Sequence, residues 1–175
     1  MFKEMLNAAK PFELYICQKL AEKGIASKLN DNERFDISAS TSTTYEVKTD
    51  ANSYFTGNIG FEISYNDKPA GIYATEADYF IFFIPFSSIS ITVHSKVLYN
   101  LLNQKKHKTI KTGDRKASTM AFWRVPYFIT ECEKISEKLG KKFQFKQHDY
   151  DDFPHYINEN QIYNYLQKKY GRTKK

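Results

Sequence analysis

Apolar and polar residues alternate along this chain with two different periods. Ile59, Phe61 and Ile63 alternate with Gly60, Glu62 and Ser64, the two-residue period of a strand with one buried face. Tyr45, Val47 and Thr49 alternate in the same way with Glu46, Lys48 and Asp50. From Asp78 to Ile84 the run is nearly all apolar and stops at Pro85, which predicts a strand covered on both faces in mid-sheet. Phe12, Tyr15, Ile16, Lys19 and Leu20 instead fall at helical spacing. They predict a helix from about Lys10 to Lys23, with Pro11 in its first turn and Gly24 as its stop. Short strands are expected at Ile25–Leu29 and Arg34–Ser38 around an Asn30-Asp31-Asn32 turn, and a further strand at Ser90–Val93. Asn66-Asp67-Lys68-Pro69 reads as another turn. Helices are expected at Lys96–Asn103, with Val97, Leu98, Leu101 and Leu102 inward, at Tyr127–Leu139 ending on Gly140, and at Ile157–Tyr170. His107–Thr119 reads as a basic, polar loop. Strands mixed with helices in this order give an α/β fold around a mixed sheet.

The chemistry concentrates between Asp36 and Lys48. In an extended strand Glu46 and Lys48 share a face, and a hairpin through the Ser/Thr run Ser38–Thr44 returns Asp36 beside Glu46. Two carboxylates beside one ammonium suit a hard cation such as Mg2+, with the lysine turned to a phosphate or a metal-bound water. A plainer reading exists for each residue. Asp36 can cap a turn, and Glu46 with Lys48 can be the solvated face of an edge strand. A similar triplet, Asp114-Arg115-Lys116, has no metal partner. The context favours a site: strand, hairpin, strand, and before them a helix with its own acid, Glu13, although the helix dipole alone also favours that acid. Glu62 lies on the polar face of its strand, either as a surface acid or near the metal. Asp50 ranks lower as a ligand. His148, Asp149, Asp151, Asp152 and His155 match no ligand spacing and read as an ordered surface loop.

Composition adds a partner. A chain of 175 residues, 41% hydrophobic, can bury one core and is read as a single domain over 1–175, with its centre at about 10–104 and a basic loop and C-terminal helices over 105–175. The formal charge of +6 and pI near 9.1 favour a polyanion. Lys105, Lys106, Lys108, Lys111, Arg115 and Lys116 crowd one stretch, Lys68 sits in a turn, and Lys168–Lys175 form a basic tail. Such groups can neutralise DNA phosphates, or stay solvated. Cys17 and Cys132 make no disulfide framework and read as buried thiols. No apolar run approaches the ~20 residues that span a bilayer, and MFKEMLNAAK lacks the apolar centre of a signal peptide. A cytoplasmic protein without membrane partners is the expectation.

Asp36 followed by Glu46-Val47-Lys48, after a helix carrying Glu13, resembles the PD-(D/E)xK nuclease superfamily, which includes archaeal and phage Holliday-junction resolvases and many restriction enzymes. Phe35 stands where that signature has proline or a small residue. The resemblance continues through GNIGFEIS (Gly57–Ser64) and PAGIYATEADYFIFF (Pro69–Phe83), and spans Phe12–Pro85, about half of the chain. It implies a restriction-endonuclease-like core, a central mixed β-sheet flanked by helices, and a DNA endonuclease dependent on Mg2+ (or Mn2+). Asp36, Glu46 and the Val47 carbonyl would hold the metal and Lys48 would position the attacking water. Glu13 would hold Lys48 or a second cation, with Glu4 a less favoured substitute, and Glu62 would be accessory. Within the superfamily, a short chain with no separate recognition domain points to a dimeric Holliday-junction or branched-DNA resolvase acting in recombination, in a bacterial, archaeal or phage-infected cell. The alternatives are a small restriction-like or DNA-processing endonuclease on duplex DNA, and a non-catalytic DNA-binding protein on the same scaffold.

Overall fold

The computed structural model describes residues 9–30, 34–112 and 117–170. In chain order its elements are α1 (Lys10–Ala21), β1 (Ser27–Leu29), β2 (Ile37–Ala39), β3 (Thr44–Thr49), α2 (Ala51–Thr56), β4 (Asn58–Tyr65), β5 (Lys68–Pro69), β6 (Tyr79–Ile84), β7 (Ile89–His94), α3 (Ser95–Gln104), β8 (Lys108–Thr112), β9 (Ser118–Arg124), α4 (Val125–Leu139), β10 (Phe143–Gln147) and α5 (Glu159–Tyr170). Short 3-10 turns occur at Gly71–Tyr73 and Tyr150–Asp152.

Two sheets form. The larger has the order β1-β2-β3-β6-β7-β10 and is mixed: β3 and β6 run parallel and every other pair antiparallel. The smaller, β5-β4-β9-β8, is antiparallel throughout. The all-apolar run takes the middle of the large sheet as β6, where Phe80, Ile81, Phe82, Phe83 and Ile84 are all buried. Its two faces carry two cores. Phe80, Phe82 and Ile84 join Ile91 and Val93 against Ile59, Phe61 and Trp123 of the small sheet and the apolar stripes of α3 and α4. Ile81 and Phe83 meet Phe12 of α1, Ala51 of α2, Phe153, Tyr156 and Leu166 of α5. Burying each large apolar side chain contributes about 1.5–3 kcal/mol, so a strand buried on both faces is the strongest organising element available. Among the described residues no helix is long and apolar enough to cross a membrane.

Several expectations shift. β4 pairs with β9 in the second sheet, while β3 takes β6 as its parallel neighbour. The basic stretch after His107, expected as a loop, contributes the antiparallel pair β8 and β9. Residues 51–56, for which the sequence carried no assignment, form a short helix capped at Asp50. β10 adds an edge strand on β7. Of the Asn30-Asp31-Asn32 turn, Asp31 and Asn32 lie outside the described residues. Cys132 is buried, and burial pushes its thiol pKa up, whereas Cys17 is only half-buried.

Candidate active site

The hairpin does what strand alternation requires. Its register pairs Ile37 with Tyr45 and Ser38 with Thr44, and one step further sets Asp36 opposite Glu46. The Asp36 N–H donates to the Tyr45 carbonyl at 2.9 Å, and the Val47 N–H donates to Asp36 Oδ2 at 2.7 Å. Backbone and side chain together therefore fix this carboxylate against the central strand. At the far end of the hairpin, the Thr44 N–H donates to Asp78 Oδ2 at 2.9 Å, which anchors β3 at the start of β6.

Two residues apart on β3, Lys48 Nζ donates to Glu46 Oε1 at 2.5 Å. The Glu46 side chain is 16% exposed and that of Lys48 43% exposed. Burial pushes the Glu46 carboxyl above its ordinary value; the Lys48 charge opposes this, and the charges of Asp36 and, least, Glu13 push it further up. Glu13, Asp36, Glu46 and Lys48 thus form one electrostatic group. Glu13 belongs to it more loosely. It is ion-paired with Lys10 at 3.1 Å, and the buried side chain of its helix, Phe12, packs on the opposite face of the sheet, against Phe83.

Glu62 arrives from the other sheet. A cavity of about 200 Å³ is lined by Glu46, Lys48 and Glu62 together with Arg34, Phe61, Gly71, Ala74, Thr75 and Phe80. Arg34 is ion-paired with Glu76 at 2.6 Å. Gly71 makes this closure possible. It has φ +55°, and a Cβ there would lie 2.0 Å from the Glu62 carbonyl oxygen, so only glycine lets the turn press against β4 beside Glu62.

Lys48 also lines a second, larger space. A groove of about 1080 Å³ runs over the outer face of the small sheet, with Asn58, Gly60, Lys108, Ile110, Met120, Phe122 and Arg124 on its floor. Asp50 and Asn52, Lys106 and Tyr127, and Lys169 with Tyr170 wall it. Gly60 has a local reason: a Cβ would meet the Phe122 ring at 2.5 Å, so the ring lies over the bare glycine of its cross-strand neighbour. Arg124 Nη1 donates to the Thr56 carbonyl at 3.2 Å. Asp50 is the one acid among these lining residues, and it is engaged as the cap of α2, accepting from Ser53 N–H at 3.1 Å and Ser53 Oγ at 2.6 Å. Burial raises its pKa, against the pull of those hydrogen bonds.

The remaining basic candidates divide. Lys106 and Lys108 line the groove. Lys105 is drawn away to Glu131 at 2.7 Å, and Lys111, one alternation out of phase with Lys108, pairs with Asp67 at 3.3 Å. Lys68 is exposed on β5. Arg115, Lys116, Glu4 and the tail beyond Tyr170 lie outside the described residues. The His148–His155 segment serves structure: His148 Nε2 lies 2.7 Å from Ser90 Oγ, and His155 Nε2 lies 3.0 Å from the Tyr150 carbonyl. Sequence reading missed Arg34, Asn52, Asn58, Arg124 and Tyr127, whereas Lys169 belongs to the basic tail it named. The alternation of β9 was the available signal for Arg124; the rest come from distant segments.

Among the described residues, no three His, Cys, Asp or Glu side chains form a ready-made metal-holding group. The donor chemistry at Asp36 and Glu46 nonetheless fits Mg2+, which is held by one or two carboxylates plus water and substrate phosphates rather than by an all-protein cage. Comparison with family models, curated proteins and solved structures finds no match to this chain.

Proposed function

We propose that the chain is a metal-dependent DNA endonuclease of the PD-(D/E)xK type, centred on Asp36, Glu46 and Lys48, with branched DNA such as a four-way junction as its substrate. One observation carries the reading. Asp36 stands opposite Glu46 across one hairpin, Glu46 and Lys48 line a small cavity with Glu62, and Lys48 also lines the basic groove. A structural surface patch has no need of all three features at one place.

Asp36, Glu46 and the Val47 carbonyl would hold Mg2+ or Mn2+, which when bound lowers the pKa of water and offsets charge on the phosphate. The residues themselves divide the remaining work. Asp36 is held in place by the Val47 amide, so it is oriented before any ligand arrives. Glu46, raised by burial and by Asp36, is a carboxylate in need of positive charge, and Lys48 now supplies it. The half-exposed Lys48 ammonium, which also lines the groove, would stabilise the phosphate or orient the attacking water. Glu62 would accept a hydrogen bond from that water across the cavity, and Glu13 would add negative charge beside Glu46. Cutting a junction symmetrically requires two such centres, so the working form is a homodimer.

The test is Lys48→Ala. Binding of a labelled four-way junction stays within about twofold of wild type while cleavage falls by about 10²–10³-fold, the loss expected for a group acting on developing charge. Cleavage at the wild-type rate would move the centre elsewhere.

A further inference from the structure

The groove beside Lys48 has chemistry that a duplex does not call for. Of its cations, Lys106, Lys108 and Arg124 are interleaved with Phe122 and Tyr127, and Tyr127 is 43% exposed. Lys106 and Lys108 have no ion-pair partner among the described residues. A paired duplex hides its base faces and offers a protein phosphates and groove edges. Aromatic faces set between phosphate-neutralising cations are instead the recurring arrangement for unpaired strands, whose exposed bases stack on the rings. The volume, about 1080 Å³, is slightly above the roughly 300–1,000 Å³ range of small-ligand sites, which suits a short run of nucleotides rather than one small molecule.

We infer that the outer face of the small sheet is a track for a single DNA strand, and that it leads an unpaired strand to Lys48. Lys106, Lys108 and Arg124 take the phosphates, and Phe122 and Tyr127 stack bases. The delivery to Lys48 rests on the endonuclease reading; the strand binding does not. It narrows the substrate to branched DNA carrying an unpaired arm, such as a flap or a frayed junction.

The experiment is a binding titration without divalent metal, so that affinity is read apart from cleavage. Trp123, the only tryptophan in the chain, is buried in the core beneath the groove, so binding is read by fluorescence anisotropy of end-labelled probes. The probes are an oligo-dT 12-mer and a 12-base-pair duplex, and the proteins are wild type, Lys106→Glu/Lys108→Glu, Tyr127→Ala and Lys111→Glu. Lys111 is on the opposite face of β8, so its variant repeats a charge reversal outside the track. The track predicts that oligo-dT binds more tightly than duplex. The double variant loses about tenfold or more in oligo-dT affinity, with a salt slope shallower by about 1.4 for two lost contacts. Tyr127→Ala loses at least about fivefold, and Lys111→Glu stays near wild type. Equal losses on duplex and oligo-dT, or unchanged oligo-dT affinity in the double variant, would overturn the track. A separate assay with Mg2+ on a flap substrate keeps the two readings apart. Strand binding lost in the double variant, with no cleavage by any protein, sustains the track and removes the nuclease; cleavage with binding unchanged in the double variant removes the track and leaves the nuclease.

Discussion

Asp36 offers a separation of structural from metal-binding roles. Its Oδ2 accepts from the Val47 amide at 2.7 Å, and its charge pushes Glu46 up. Asparagine can still accept that N–H, so Asp36→Asn exchanges a charged acceptor, contributing about 1.5–3 kcal/mol, for a neutral one contributing about 0.5–1.5 kcal/mol. Relief of the repulsion with Glu46 offsets part of the difference. The net loss should be at most about 1 kcal/mol, or roughly 2–4 °C in Tm for a chain of this size. Alanine leaves the half-buried Val47 amide without a partner, at a cost of about 1–3 kcal/mol. Mg2+ at ten times its Kd should stabilise the wild type by about 1.4 kcal/mol, again a shift of roughly 3–6 °C. Thermal melts with and without Mg2+ read both effects. The expected pattern is a small Tm loss for Asp36→Asn, a larger one for Asp36→Ala, and no Mg2+ shift in either. A full Mg2+ shift in Asp36→Asn, or equal stability of the two variants, would refute this reasoning.

The other predictions test charge and packing around that centre. Because Glu46 is raised above 4.5, the folded state binds more protons than the unfolded state just above that pH. Stability contributed by its protonated form is then lost as pH rises through the window, and Glu46→Gln should gain stability relative to wild type as pH rises above about 4.5 in melts without metal. His148 runs the other way. Burial lowers its pKa below 6.5, so the stability it contributes is complete above 6.5 and lost as pH falls towards the folded value; His148→Asn should flatten that acid limb. Phe83→Ala opens a cavity against Phe12 and Phe153 and should cost about 3–5 kcal/mol in denaturant unfolding. Asp50→Ala removes the cap of α2 and should cost about 0.5–2 kcal/mol while leaving the Mg2+ shift intact, since Asp50 serves the helix.

The candidate site is legible in the sequence because it is local. Asp36, Glu46 and Lys48 lie within thirteen residues, and a period of two plus one hairpin is enough to place them on one face. β6 is legible for a similar reason, since no other arrangement covers so apolar a run. The second sheet is not. The alternation of Ile59, Phe61 and Ile63 fixes which face β4 buries but not which strand it joins, and its partner β9 begins more than fifty residues later. β8, Lys-Thr-Ile-Lys-Thr, has one apolar residue and is exposed along most of its length, so composition alone makes it a loop. α2 is only six residues long, and its cap, Asp50 with Ser53, is the kind of signal that decides such short helices. The groove draws on segments from Lys48 to Tyr170 and becomes visible only once they are folded together.

The account stands or falls on phosphodiester hydrolysis at one centre. The direct measurement is a single-turnover time course on an end-labelled four-way junction, a flap, a linear duplex and a single strand, in Mg2+, Mn2+ or EDTA, with wild type and Glu46→Gln. The account predicts metal-dependent cutting of the branched substrates by the wild type, none in EDTA, and none by Glu46→Gln, which should still bind. Cutting in EDTA, or undiminished cutting by Glu46→Gln, would contradict it.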